Sequence, residues 1–181
     1  MSATDIQRML AHAMTNAGSS LLDLSNERPT LAVFLRFSGC PFCLEAMHDI
    51  KQKRLALESK GVQVVFVHMM TETEARPLFE ANGVGEIPRI SDPDRRLYDA
   101  LGLKRGNLWQ IMGPFVWFRV MQAGRIGKRI GRAVGDMWQM PGVFLIDKGK
   151  VTASYRHPSQ ASRPDYEGIA CPARPIPASA G

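Results

Sequence analysis

Apolar positions follow two rhythms along this chain. Leu31-Ala32-Val33-Phe34-Leu35-Arg36-Phe37 is a nearly unbroken apolar run, as expected of a strand buried on both faces. Ser38-Gly39-Cys40-Pro41 interrupts it. From Pro41 to about Lys60 the spacing turns helical through Phe42, Leu44, Met47, Ile50, Leu55 and Leu57, and Gly61 closes the helix. Val62 to His68 is a second buried strand. Thr71 and Glu74 have capping-box spacing and open a helix that runs to Asn82-Gly83. Ile87 to Ser91 reads as a short strand and Asp94 to Leu101 as a short helix closed by Gly102. Gly142 to Asp147 and Val151 to Tyr155, joined through Lys148-Gly149-Lys150, read as a hairpin. Upstream, Ile6, Met9, Leu10 and Ala13 predict one amphipathic helix over residues 4–15, and Asn26 to Pro29 a turn. Alternating strands and helices followed by a hairpin predict an α/β domain with a mixed sheet.

Composition changes this picture at two places. The 181 residues fit one ordinary domain, 45% hydrophobic and 22% charged, with no apolar stretch long enough to span a membrane. The net charge of +6 resides in one segment: Lys104 to Gly135 carries seven bases and no acid, and the remaining chain is nearly balanced. Any polyanionic partner is therefore a matter for that segment alone. The last ten residues contain three prolines and no periodicity, which predicts a mobile tail. Asp5 and the absence of a long apolar run near the N-terminus argue against a secretory leader, so a cytoplasmic location is expected.

Two of the three cysteines lie in Gly39-Cys40-Pro41-Phe42-Cys43, at the junction of a strand and a helix. A thiol at a helix N-terminus meets unpaired N–H groups and the macrodipole, which favour its anion. Pro41 suits the first helical position, where an N–H would lack a partner. Cys43 is one turn deeper on the same side, placed to attack a mixed disulfide or sulfenic acid formed on Cys40. Cys40 is thus the expected nucleophile and Cys43 the resolving thiol. A zinc site would need two further ligands. No second CxxC exists, and His48 and His68 are not closely spaced, so neither metal nor cofactor is expected.

Gly85-Glu86-Ile87-Pro88-Arg89-Ile90-Ser91-Asp92-Pro93 followed by Arg96-Leu97-Tyr98-Asp99-Ala100-Leu101-Gly102-Leu103 resembles a passage of the alkyl hydroperoxide reductase/thiol-specific antioxidant proteins. Arg36 through Cys43, the basic insertion and Pro141 to Asp147 are together similar to the peroxiredoxin-like 2 and selenoprotein-L-related redox proteins. The resemblance spans residues 28–167. It implies a thioredoxin-like fold: a central mixed β-sheet flanked by helices, with peroxiredoxin-like elaborations. The expected organisation is an N-terminal helical extension (1–27), a thioredoxin-like domain (28–167) with a basic aromatic insertion (104–135), and a tail (168–181). In such a sheet Met140-Pro141 packs across from the cysteine turn, with a cis bond before Pro141. One departure bears on activity. The usual P-x-x-x-[ST]-x-x-C loop is absent, since Phe37 and Val33 stand three and seven residues before Cys40, and Cys40 and Arg36 before Cys43.

These features predict a thiol-dependent antioxidant oxidoreductase. Its Cys40–Cys43 pair reduces a hydroperoxide or a disulfide, and an external thiol such as thioredoxin or glutathione resets it. Arg36, near the strand end, is expected to stabilise the Cys40 thiolate. Phe42, Pro41, Met140 and Pro141 are expected to shape the site. Arg156 or His157 could approach it from the last strand. His68 reads as a neutral core histidine and Cys171 as a bystander. For the insertion, the open readings are a buried aromatic cluster, a lid over the cysteines, and peripheral contact with an anionic membrane. Nucleic acid is not expected as a partner. The alternative from another class is a redox-sensing or binding module whose disulfide controls the insertion without turnover.

Overall fold

A computed structural model describes residues 3–113 and 135–171. The elements in chain order are α1 (Ala3–His12), α2 (Leu21–Glu27), β1 (Thr30–Phe34), α3 (Pro41–Ser59), β2 (Gln63–His68), α4 (Glu72–Ala81), β3 (Arg89–Ser91), α5 (Arg96–Ala100), α6 (Leu108–Met112), β4 (Gly142–Asp147), β5 (Lys150–Arg156) and α7 (Tyr166–Ile169). None of the described helices is long and apolar enough to cross a membrane. The expected roles of the basic insertion fall mostly on residues 114–134, outside the described residues.

The strands form one mixed sheet in the order β3-β2-β1-β4-β5. β1 pairs in parallel with β2 and antiparallel with β4, so the most apolar strand occupies the centre. Every residue of β1 is buried because helices cover both faces. Leu31 and Val33 face a core shared with Met47 and Ile50 of α3, Phe79 of α4 and Tyr166 of α7. Ala32 and Phe34 face a second core with Leu10, Leu21, Leu24, Leu97 and Tyr98. The two-sided apolar run in the sequence is thus the signature of the strand that carries the cysteine turn at its end.

Three local differences from the sequence expectation have clear causes. The N-terminal segment forms two helices, since Ser20 caps α2 through a reciprocal bond with Asp23 and chain reversal at Gly18 pairs Met14 with Ser20. β1 ends at Phe34 rather than Phe37, because the Arg36 N–H leaves the sheet for the Cys43 sulfur. The expected tail at 168–181 does not begin at 168. Gly168 and Ile169 belong to α7, and Ile169 and Ala170 are buried against the α3 face; residues 172–181 lie outside the described ones.

The β4–β5 hairpin closes on Lys148-Gly149, both left-handed at φ 49° and 70°, the two-residue turn that follows strand twist. Its tip docks on α2, with Lys148 N–H donating to the Ser25 carbonyl and Gly149 N–H to the Ser25 hydroxyl. At α4, Thr71 and Glu74 form the expected capping box. Thr71→Ala is expected to lower the unfolding free energy by about 1 kcal/mol, measurable as a shift in urea midpoint at unchanged slope.

Candidate active site

The chain leaves β1, turns at Gly39 (φ 79°) and enters α3 at Pro41. Cys40 is the N-cap of α3, and its carbonyl accepts the first main-chain bonds of the helix, from Cys43 N at 3.0 Å and Leu44 N at 3.1 Å. No side chain caps this end, so the Cys40 sulfur lies in the positive field of the first turn. Pro41 fills the position whose N–H would have been idle. Both thiols are free and buried, Cys40 at 1% exposure and Cys43 at 6%.

Arg36 completes the constellation and is itself only 1% exposed. Its backbone N–H donates to Cys43 Sγ at 3.2 Å, and its Nη1 lies 3.7 Å from Cys40 Sγ. The Cys43 thiol hydrogen-bonds to Cys40. That bond is the largest influence lowering the Cys40 pKa to about 6; burial opposes it, and the Arg36 charge assists. Cys43 moves the other way, held protonated by its bond to Cys40 and by burial. The arrangement favours the anion on Cys40 and the proton on Cys43.

A cavity of about 30 Å³ adjoins Cys43 and Arg36 and is lined also by Phe42, Pro141, His157 and Gln160. It holds about one or two molecules of water size. At its margin Arg163 pairs with Asp49 and lies 3.6 Å from Glu45, both carboxylates projecting from α3. A larger groove of about 720 Å³ runs between α1 and the β3–α5 connection, and no cysteine lines it.

The structure places Arg36, Phe42, Cys43 and Pro141 around the small cavity, with Cys40 and Pro41 at the adjoining start of α3 and Cys40 beside Arg36. Two expectations need correction. The Met140–Pro141 peptide is trans, for no described peptide is cis. The chain arrives there already extended, with Gly106 N donating to the Trp138 carbonyl and Met140 N to the Lys104 carbonyl, and it runs straight on into β4. Met140 does not line the cavity; its thioether packs at Gly106. Of the two candidates at the end of β5, His157 lines the cavity and bonds Ser162, whereas Arg156 turns away to the Leu101 carbonyl and the Phe144 ring. His157 stays neutral because burial lowers its pKa to about 4. His68 is buried and likewise lowered to about 4 by desolvation, with Nδ1 on the Met70 carbonyl. Cys171 is exposed at the end of α7. Among the described residues no cluster of three or more His, Cys, Asp or Glu side chains is arranged to hold a metal ion.

Gln139, Gln160 and the Met137 carbonyl were not visible as site groups from the sequence. All three accept hydrogen bonds from Arg36, yet they lie over a hundred residues downstream with no local pattern linking them to the cysteine turn.

The AhpC/TSA antioxidant enzyme profile matches residues 48–161, beginning just beyond the two cysteines. The prostamide/prostaglandin F synthase of Pongo abelii is 30% identical over 160 residues, covering 82% of this chain and 78% of that protein. Among solved structures, the bacterioferritin comigratory protein of Xanthomonas campestris superposes with a TM-score of 0.60 at 15% identity, over 87% of this chain and 85% of that one. Peroxiredoxin 6 of Arenicola marina gives 0.61 at 13% identity, over 87% and 66%. With a profile match across more than half its length and a sheet of the peroxiredoxin and thioredoxin type beneath it, the chain belongs to the AhpC/TSA antioxidant enzyme family.

Proposed function

We propose that the protein is a thiol-dependent oxidoreductase that reduces a hydroperoxide or a disulfide through Cys40 and Cys43. One observation carries this reading: Cys40 sits at a helix N-terminus with both a thiol donor and a buried guanidinium on its sulfur. With a hydroperoxide, the Cys40 thiolate attacks the distal oxygen. The S–O bond forms as the O–O bond breaks, and the departing alkoxide takes a proton. The sulfenic acid is then attacked by Cys43, releasing water and closing the Cys40–Cys43 disulfide. Two external thiols reduce that disulfide and are themselves oxidised. With a disulfide substrate, the first step is thiol exchange and the leaving group is a thiolate.

Family membership supports redox chemistry of this class, and the peroxide arm is proposed by analogy with the antioxidant enzymes of that family. The missing P-x-x-x-[ST]-x-x-C loop favours a slower, more selective peroxidase or a disulfide reductase over rapid peroxide removal. The relatives' name, prostamide/prostaglandin F synthase, adds a lipid substrate to those worth assaying. A thioredoxin-type protein or glutathione is the proposed reductant, with no bound cofactor, in the reducing cytoplasm.

The test is turnover of the full chain on hydrogen peroxide, a fatty-acid hydroperoxide and a mixed glutathione disulfide, each with thioredoxin and with glutathione as donor. Consumption of at least one substrate, coupled to donor oxidation and saturable, is expected. No consumption above the uncatalysed rate in any combination would refute the enzyme reading.

A further inference from the structure

Arg36 is a buried cation gripped by three separate stretches of chain. Nε donates to the Gln139 carbonyl at 2.8 Å, Nη2 donates to the Met137 carbonyl, and Nη1 serves both the Gln160 amide oxygen and Cys40 Sγ. Of these four acceptors only the sulfur can carry a charge. Two of the grips are main-chain carbonyls, which any side chain at those positions would leave in place. The remaining one is the side chain of Gln160.

Gln160 is held as firmly as the group it holds. It is 8% exposed. Its Nε2 donates to the Ile111 carbonyl, and its backbone N–H donates to the Gln110 carbonyl at 3.2 Å. The donor end of the amide being committed to α6, the oxygen end can only face Arg36. We propose that Gln160 is a positioning residue for the reaction, aiming the Arg36 guanidinium at the Cys40 sulfur and so holding that sulfur ionised. This rests on the reading of Cys40 as an ionised attacking thiol. An amide suits the task better than a carboxylate. Glutamate at this position would lose the N–H donated to the Ile111 carbonyl, set a second anion against the guanidinium and repel the thiolate. The neutral amide holds the cation and leaves its charge for the sulfur.

The pH dependence of Cys40 alkylation by iodoacetamide, followed by peptide mass in a Cys171→Ser background, reports the ionisation directly and needs no substrate. Gln160→Met keeps the length and removes the polar atoms. It is expected to raise the Cys40 midpoint by about one pH unit, a tenfold smaller thiolate fraction on the acid side. Gln160→Leu removes the same polar atoms in a more compact shape; it too should raise the midpoint, and it serves if the methionine variant fails to fold. In an Arg36→Met background, either change at Gln160 should add less than half its shift in the parent. The proposal is overturned if both Gln160 variants leave the midpoint in place while Arg36→Met moves it, or if their shifts persist undiminished without Arg36. An ordinary thiol midpoint in the parent protein would instead overturn the activated-thiol reading of Cys40.

Discussion

Cys40→Ser is expected to abolish turnover, while Cys43→Ser stops it after one round. The two substitutions are chemically identical, so the difference comes from position alone. Cys40 is the helix-capping, ionised sulfur, and serine there supplies a hydroxyl with no appreciable anion at neutral pH. Cys43 carries the proton and receives the Arg36 backbone N–H. Serine at 43 can still donate an O–H bond to the Cys40 thiolate, so the first attack survives, but no thiol remains to close the disulfide. With Cys43 replaced, the sulfenic acid or mixed disulfide on Cys40 has no neighbouring thiol to close on, since the third cysteine, Cys171, is exposed at the end of α7. With a protein donor, Cys43→Ser should therefore show a burst of one product equivalent per chain and then stall. Dimedone should label the stalled Cys40 after hydroperoxide; after a disulfide substrate, mass spectrometry should find the mixed disulfide. Full-rate turnover by Cys43→Ser with the protein donor would remove Cys43 from the cycle. Retained turnover by Cys40→Ser would remove Cys40.

What the sequence revealed of this arrangement was its local part. The strand-to-helix junction at Cys40 was readable because the helices on both faces of β1 require an uninterrupted apolar run, and because Pro41 marks a helix start. Arg36 was readable as a neighbour of the thiols, since only three residues of turn separate it from Cys40. The second N-terminal helix has a local signal in the sequence: Ser20 and Asp23 stand at capping spacing around Leu21 and Leu22. The orientation of Arg36 left no signal at all. It depends on Met137, Gln139 and Gln160, which the fold brings together only once β4 has paired with β1. The peptide before Pro141 misled for a related reason. Its geometry is governed by the bridge between Arg105 and Gln139, a pairing between two ends of an insertion that local composition cannot register.

The same ionised sulfur makes stability depend on pH, and the sign is definite. The folded pKa of Cys40 is about 6 against an ordinary value of 9.0, so between those limits the unfolded chain binds the extra proton. Stability from this group is complete above about pH 9 and is lost as pH falls through 6, with a slope approaching ~1.4 kcal/mol per pH unit and a total of ~4 kcal/mol at most. Cys43, held protonated in the fold, opposes this only above its unfolded value of 9.0. His68 acts in the adjoining window. Buried and neutral down to about pH 4, it is protonated only in the unfolded chain between 6.5 and 4, so stability continues to fall there as acid is added. Urea unfolding of the reduced protein from pH 5 to 9 should thus give a free energy that rises throughout. Cys40→Ser should flatten the rise between 6 and 9; His68→Phe should reduce only the part below 6.5, leaving the share that His157, likewise lowered to about 4 by burial, contributes there. Oxidation to the Cys40–Cys43 disulfide, which leaves no thiol to titrate, should match Cys40→Ser in slope above pH 6. A reduced wild-type protein whose stability is level from 6 to 9 would mean that Cys40 is not held as an anion, and the nucleophile would have to be sought elsewhere.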